Sequence, residues 1–425
     1  MKEVVIVSGA RTPVGRYMGA LKTVQPYDMA ALVMNAALER AHLSSLDVDH
    51  VIMGQSYQNG EYVNIARMGL LTAGWPESVP GTTIDSRCCT GLDVVRLAAA
   101  QIASGMAEVV AAGGVESMSN AEFYLPGSIK WGIGGTQGMP RGHGDLSMWG
   151  LPFYDRIQRA RVMSQPEARY GVLPSMMTWA ETAAKEENVT REDCDAWAVG
   201  SHQKACAAIE AGKFTEEIIP VTIPVPKKDA EIFHRDENPR PDTTIETLAK
   251  LKPVLGGVCT AGNSSSENDG AAAVILMSRE KADAMGIAPI AAIKSCSLVG
   301  DDPKRAYRTV PVAAKKALQT AGLEIKQMEL IEIQEAFAAQ VLADMKQMGL
   351  TPDDFGKVNV NGSGISLGHP IACTGTRVLV TLLHEMKRRK SRYALACICG
   401  GGGLGIAAVL EACCGGKMSQ GYGPR

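Results

Sequence analysis

Two adjacent thiols define the first chemical possibility in this chain. In DSRCCTGLDVV (85–95), Cys88 and Cys89 stand just before an apolar, helix-like run. A cysteine at a helix start feels unpaired N–H groups and the positive end of the helix dipole, which favour the thiolate and lower its pKa. The ordinary alternative is a buried free cysteine that packs as a small hydrophobe. Three further clusters could join the thiols. NVNGSGISLGHPIACTG (359–375) holds His369 in a Gly-rich loop, and IQEAFAAQ (333–340) places Gln334 and Glu335 at the end of an apolar strand. ALACICGGGGLG (394–405) brings Cys397 and Cys399 to the point where a buried strand enters four glycines. Each has a structural reading when taken alone. Together they suggest cysteine-based acyl transfer. One thiol attacks a carbonyl with the histidine as its base, glycine-turn N–H groups hold the oxyanion, and a second thiol moves a proton at carbon.

The elements that must position these groups alternate between strand and helix. VVIV (4–7), a helical stretch near 28–42, HVIMGQ, the helix after Gly91 and EVVAAGG follow one another. That order argues for an α/β fold with a mostly parallel sheet. In such a sheet the candidate residues lie beyond the carboxyl ends of strands, where ligands bind. The chain also repeats itself. AALERAHLSSLDVDHVIMGQ (36–55) aligns without a gap with KALQTAGLEIKQMELIEIQE (316–335), and CTG at 89–91 recurs at 373–375. Two copies of one α/β unit are expected, at 1–121 (completed by about 252–288) and at 289–414. Between them, 122–251 has a different texture and reads as an inserted loop domain, with the Gly-rich GSIKWGIGGTQGMPRGHGDLSMWG (127–150) inside it. Residues 415–425 read as a mobile tail. The repeat also separates the two thiols. Cys89 is matched by Cys373, whereas Cys88 is matched by Ala372, which favours Cys88 for chemistry and Cys89 for packing.

Composition narrows the function classes. With 43 Lys+Arg against 45 Asp+Glu, the 425-residue chain has a net charge of −2, which suggests neither a nucleic-acid nor a membrane-surface partner. No apolar run of about 18 residues occurs, so no membrane span is expected. MKEVVIVSGA enters a strand pattern directly, and the eleven cysteines read as reduced thiols of a cytoplasmic protein. Neither C-x-x-C nor H-E-x-x-H is present, and no metal site is expected. GGGGLG satisfies the dinucleotide spacing G-x-G-x-x-G, but no second βαβ unit with a ribose-binding acid follows it. Those glycines are better read as backbone that turns tightly or approaches a ligand.

At these motifs the sequence resembles the thiolases, coenzyme A-dependent acyltransferases. The likeness runs over about 1–412 and includes VVIVSGARTPVG, GGVESMS (113–119), RPDTTIETLAKLKP (240–253), TAGNSSSENDGAAAV (260–274), NGSGISLGHP and CICGGGGLG. The resemblance implies two αβαβα halves in a five-layer core with an inserted loop domain, assembled as a homodimer or homotetramer. It implies no permanently bound cofactor, with coenzyme A as co-substrate. Cys88 takes the nucleophile's position, His369 that of its activator and an oxyanion donor, and Cys399 that of the second acid/base thiol. The N–H groups of Cys88 and Gly401 match the second oxyanion hole. Arg240, Thr247, Ser265 and Met176 fall where the family surrounds the nucleotide and pantetheine. Four departures bear on specificity: Gln334 replaces an Asn that holds an oxyanion-hole water, Ser175-Met176 replaces His-Met, Ala306 replaces a Met, and the covering segment carries Arg141, Arg156, Arg159 and Arg161. The expected reaction is cleavage of a 3-oxoacyl-CoA by coenzyme A, or the reverse condensation. A decarboxylating condensing enzyme of the same superfamily and a catalytically impaired acyl-CoA-binding scaffold stay open as alternatives.

Overall fold

The computed structural model describes residues 2–126, 153–173, 175–225, 227 and 229–413. The Gly-rich stretch 127–150, Arg141 and the expected tail at 415–425 lie outside the described residues.

The first half runs β1 (Val4–Arg11), α1 (Pro26–Arg40), β2 (His50–Gly54), α2 (Ile65–Thr72), β3 (Gly81–Ile84), α3 (Thr90–Ser104) and β4 (Val109–Ser117). The chain then leaves the sheet, adds α4 (Met177–Glu186) and α5 (Arg191–Glu210), and returns as β5 (Asn268–Ser278). The second half repeats the plan with β6 (Ala291–Gly300), α6 (Thr309–Ala321), β7 (Leu330–Ile333), α7 (Ala338–Gln347), α8 (Ile371–Arg389), β8 (Tyr393–Gly400) and β9 (Leu404–Ala412).

The strands follow one path, β7-β8-β9-β6-β1-β5-β4-β2-β3, in which β7-β8-β9-β6 mirrors β2-β4-β5-β1 and the edge strand β3 is matched only by an isolated bridge between Ile331 and Val358. The halves meet between β1 and β6 through only two residue pairs, Val5 with Ala292 and Ile6 with Ala291. The expectation of a mostly parallel sheet is corrected. β2 pairs in parallel with β3 and β4, and β7 with β8, but β1, β5, β6 and β9 all pair antiparallel. The reason is that β5 and β9 return beside the strands that open their halves. All eleven residues of β5 are buried, and a strand covered on both faces reads as an apolar run whatever its direction.

Side-chain alternation divides the sheet's surroundings into three large cores, with two small clusters around Phe214 and around Tyr57 beside them. Along β8, Leu395, Cys397 and Cys399 face one core while Ala394, Ala396 and Ile398 face another. The outer core of the first half gathers Met29, Met34, Val51 and Ile275 beneath α1 and α2. The central core holds Leu92, Val95, Val378 and Leu379 of α3 and α8, which lie between the two sheet halves. The third core gathers Val310, Ile331, Val341 and Val409 under α6 and α7, with Trp179 and Trp197 of α4 and α5 joining it. The layers are therefore helix, sheet, helix, sheet, helix.

The repeated CTG has a steric cause. At the α3–α8 crossing, a Cβ added to Gly91 would stand 2.6 Å from the Ala372 carbonyl oxygen, and one on Gly375 would collide with the Leu92 nitrogen. Two helix backbones touch where both halves supply a glycine. The Thr376 hydroxyl then donates to the Gly91 carbonyl at 2.6 Å.

Candidate active site

A strained turn presents Cys88. Helix α3 starts at Thr90 with Cys89 as its N-cap, so Cys88 stands just ahead of the helix. Arg87, immediately before it, has φ +56, a left-handed conformation that costs a non-glycine residue roughly 1–2 kcal/mol. The turn is held by the Asp85 carboxylate accepting from the Arg87 N–H at 2.7 Å and by the Thr90 hydroxyl accepting from the Ser86 N–H at 2.7 Å. Its effect is to separate the two thiols. Cys88 is partly exposed in a cavity of about 450 Å³. Cys89 is fully buried, with its sulfur 3.6 Å from the Ile398 carbonyl oxygen.

The expectation that the helix start lowers the Cys88 pKa is also corrected. Burial pushes the thiol up to about 11, and the Gly401 N–H and the Arg87 charge offset only part of that. Without a base, then, Cys88 is a thiol near neutral pH.

His369 can act as that base. It lines the same cavity, and its backbone N–H donates to Asn268 Oδ1 at 2.8 Å. Its Nδ1 lies 2.7 Å from the Thr374 hydroxyl, which donates its own hydrogen to the Pro370 carbonyl at 3.0 Å. The hydroxyl must therefore accept from Nδ1–H, which leaves a lone pair on Nε2. Nε2 has no hydrogen-bond partner among the described residues. Burial, reinforced by Arg377 and Arg161, pushes the imidazole down to about 3, so the ring is neutral.

Cys399 is the penultimate residue of β8, on the wall of the cavity. Burial and the neighbouring Asp344, Cys88 and Cys89 hold its thiol well above the ordinary range, which keeps its proton in place. The turn that follows joins β8 to β9 through Gly402 at φ +81 and Gly403 at φ +80, a pair of conformations that only glycine adopts without strain. This turn aims the Gly401 N–H at the Cys88 sulfur.

Arg240, Ser265 and Met176 line the cavity as well, and the Ser265 N–H is fixed on the Ala336 carbonyl at 2.9 Å. Thr247 does not line it. That side chain is exposed, and its hydroxyl caps its own helix by accepting from the Thr244 N–H at 2.9 Å. Gln334 is fully buried outside the cavity lining, with Oε1 accepting from Arg377 Nη2 at 3.4 Å and its amide nitrogen against Gly364. Glu335 is a structural hub that accepts from Trp197 Nε1, the Ser201 hydroxyl, Asn359 Nδ2 and the Ile365 N–H. Ala306 lies in the third core and not on the cavity wall. Of the described arginines in the covering segment, Arg156 pairs with Glu122 at 3.0 Å and Arg159 stacks on Tyr154 at 4.7 Å. Only Arg161 reaches the cavity, paired with Glu267 at 2.7 Å.

Sequence reasoning missed Ser56 and Tyr57, which line the cavity just after β2, and Thr374, which fixes the histidine tautomer. The available signal for the first two was their place at the end of a strand. Among the described residues, no group of three or more His, Cys, Asp or Glu side chains could hold a metal ion. Nor is any described helix long and apolar enough to cross a membrane.

Two thiols and a neutral imidazole line one cavity and are drawn from both halves of a duplicated α/β core. Residues 4–280 match the thiolase N-terminal domain and residues 287–412 the thiolase C-terminal domain. The chain is 44% identical to the acetyl-CoA acetyltransferase of Cupriavidus necator, with 97% of this chain and 100% of the relative aligned. It is 39% identical to the 3-ketoacyl-CoA thiolase of Bacillus subtilis, again over 97% and 100%. Among solved structures, the acetyl-CoA acetyltransferase of Bacillus anthracis superposes with a TM-score of 0.88 at 40% identity, covering 97% of this chain and 99% of that one. Human mitochondrial 3-ketoacyl-CoA thiolase gives a TM-score of 0.87 at 34% identity with the same coverage. The chain belongs to the thiolase family and is an acyltransferase of that type.

Proposed function

We propose that the protein cleaves a 3-oxoacyl-CoA with coenzyme A to give acetyl-CoA and a shortened acyl-CoA, or runs the reverse condensation, through an acyl-Cys88 intermediate. The observation that carries this reading is the meeting of Cys88, His369 and Cys399 at one cavity, with the Gly401 N–H directed at the nucleophilic sulfur.

In the cleavage direction, His369 Nε2 takes the Cys88 proton and the sulfur adds to C3 of the substrate. The C2–C3 bond then breaks, and its electron pair passes to C2. Cys399 delivers its proton to that carbon, releasing acetyl-CoA. In the second half-reaction the coenzyme A thiol returns a proton to Cys399 and its sulfur attacks the acyl thioester. Cys88 leaves as thiolate and recovers its proton from His369. The N–H groups of Cys88 and Gly401 hold one developing oxyanion. Arg240, Ser265 and Met176 bind the coenzyme A arm, and Thr247 supports the nucleotide end from the surface. Gln334 acts from behind the cavity through its bond to Arg377.

The Arg161–Glu267 pair gives the cavity a polar wall. This supports an acyl substrate other than acetoacetyl-CoA. The buried Ala306 gives that preference no support. The protein works in the cytoplasm as a homodimer or homotetramer, in fatty-acid metabolism, without a resident cofactor.

Cys88→Ser tests the assignment. Thiolysis and acyl transfer from acyl-CoA to the protein should both vanish while the fold is kept, and a variant that still turned over would sink it.

A further inference from the structure

Glu116 lies one residue from the end of β4, is completely buried, and takes part in none of the steps above. Its carboxylate accepts three backbone hydrogen bonds, from the N–H groups of Ser56, Tyr57 and Ala372, each at 3.1 Å. No described lysine, arginine or histidine pairs with it. Its donors come from two separate segments beside the cavity, one through Ser56 and Tyr57 and the other next to Ile371. Ser56 and Tyr57 form the loop after β2, and the Ser56 hydroxyl donates onward to the Arg87 carbonyl at 3.3 Å, in the turn that presents Cys88. Ala372 is in the first turn of α8, three residues after His369, where helix N–H groups lack intrahelical partners and the dipole favours a negative charge. On the neighbouring strand, Asn268 holds the His369 N–H at 2.8 Å. The segment from His369 to Ala372 is therefore fixed at both ends, by an amide and by a carboxylate.

We propose that Glu116 is a positioning residue for the reaction: its carboxylate clamps the histidine-bearing start of α8 to the loop that supports the Cys88 turn, and so sets the distance from base to nucleophile. This rests on the reading of Cys88 as nucleophile and His369 as base. A charged carboxylate has enough lone pairs for all three donors, whereas a protonated one turns an O–H toward them and releases part of the clamp. Burial lifts this carboxyl to about 7 against the pull of its three donors. The ionisable groups that sense it are Asp85 before α3, Tyr57 and Tyr62 after β2, and Cys373 in α8. The clamp thus tightens as pH rises through neutrality.

The test compares wild type with Glu116→Gln and Glu116→Asp. The amide of Glu116→Gln opposes at least one N–H donor with another, so kcat should fall about 10–100-fold while KM for the acyl-CoA changes less than about threefold. The rise of wild-type kcat/KM through pH 7 should disappear in this variant. Glu116→Asp keeps the charge with a shorter reach, so it should retain the pH-dependent rise at reduced kcat. It also carries the test if Glu116→Gln does not fold. Either variant folded with wild-type kcat and an unchanged pH profile would overturn the proposal. Loss of wild-type thiolysis on iodoacetamide labelling of Cys88 checks the underlying reading independently of Glu116.

Discussion

At the scale of single residues, the proposed mechanism starts from groups that are neutral before substrate arrives. Cys88 rests as a thiol near 11, His369 as a free base near 3, and Cys399 as a buried thiol. A helix start alone does not make an activated thiolate, because the desolvation at Cys88 exceeds the help from Gly401 and Arg87. In the proposed mechanism, proton transfer between Cys88 and His369 therefore belongs to the reaction itself. The direction of that transfer depends on the Thr374 hydroxyl. Thr374→Val should leave Nδ1 unpaired, let the two imidazole tautomers compete, and lower kcat about tenfold without moving the pH profile. His369→Asn should cost about 10²–10⁴-fold. Steady-state kinetics of the two variants from pH 5 to 9 decides this, and equal effects would assign Thr374 a structural role only.

At the scale of elements, much of the plan was legible. The 280-residue offset in the sequence corresponds to α1–β2 and α6–β7, which occupy equivalent places in the two halves. The repeated CTG marks the helix crossing, and the unmatched Cys88 is the thiol that reaches the cavity. Strand direction was not legible, because the fully buried β5 carries no alternation to betray it. Nor could side-chain aim be read. Gln334 and Thr247 sit in the right motifs, yet one turns toward Arg377 and the other caps a surface helix. Ala306 aligned with a pocket position and is packed in the core. Motif matching locates backbone, and these outcomes depended on side-chain packing between segments distant in sequence. The crossing makes its own prediction. Gly375→Ala should drive a methyl into the Leu92 backbone and destabilise the fold by about 1–3 kcal/mol. A urea midpoint equal to wild type would show that the two helices part without cost.

At the scale of the whole molecule, each half supplies what the other lacks. Cys88 comes from the first half, His369, Cys399 and Gly401 from the second, and the polar Arg161–Glu267 wall from the segment between β4 and the start of β5. Under the proposed function, specificity and chemistry are thereby separable. A panel of 3-oxoacyl-CoAs varied in length, branching and charge should show a preferred substrate other than acetoacetyl-CoA, and Arg161→Ala should change the ranking while the acyl-Cys88 step persists. A clear preference for acetoacetyl-CoA would refute the selectivity reading. The two-pair junction between β1 and β6 adds one more consequence. So short a seam makes the sheet a weak tether, and the registration of the halves falls to α3 and α8, which begin just after the proposed nucleophile Cys88 and the proposed base His369. Turnover is then a gauge of alignment: a protein whose halves each stay folded but slip against one another falls silent before its secondary structure reports any loss.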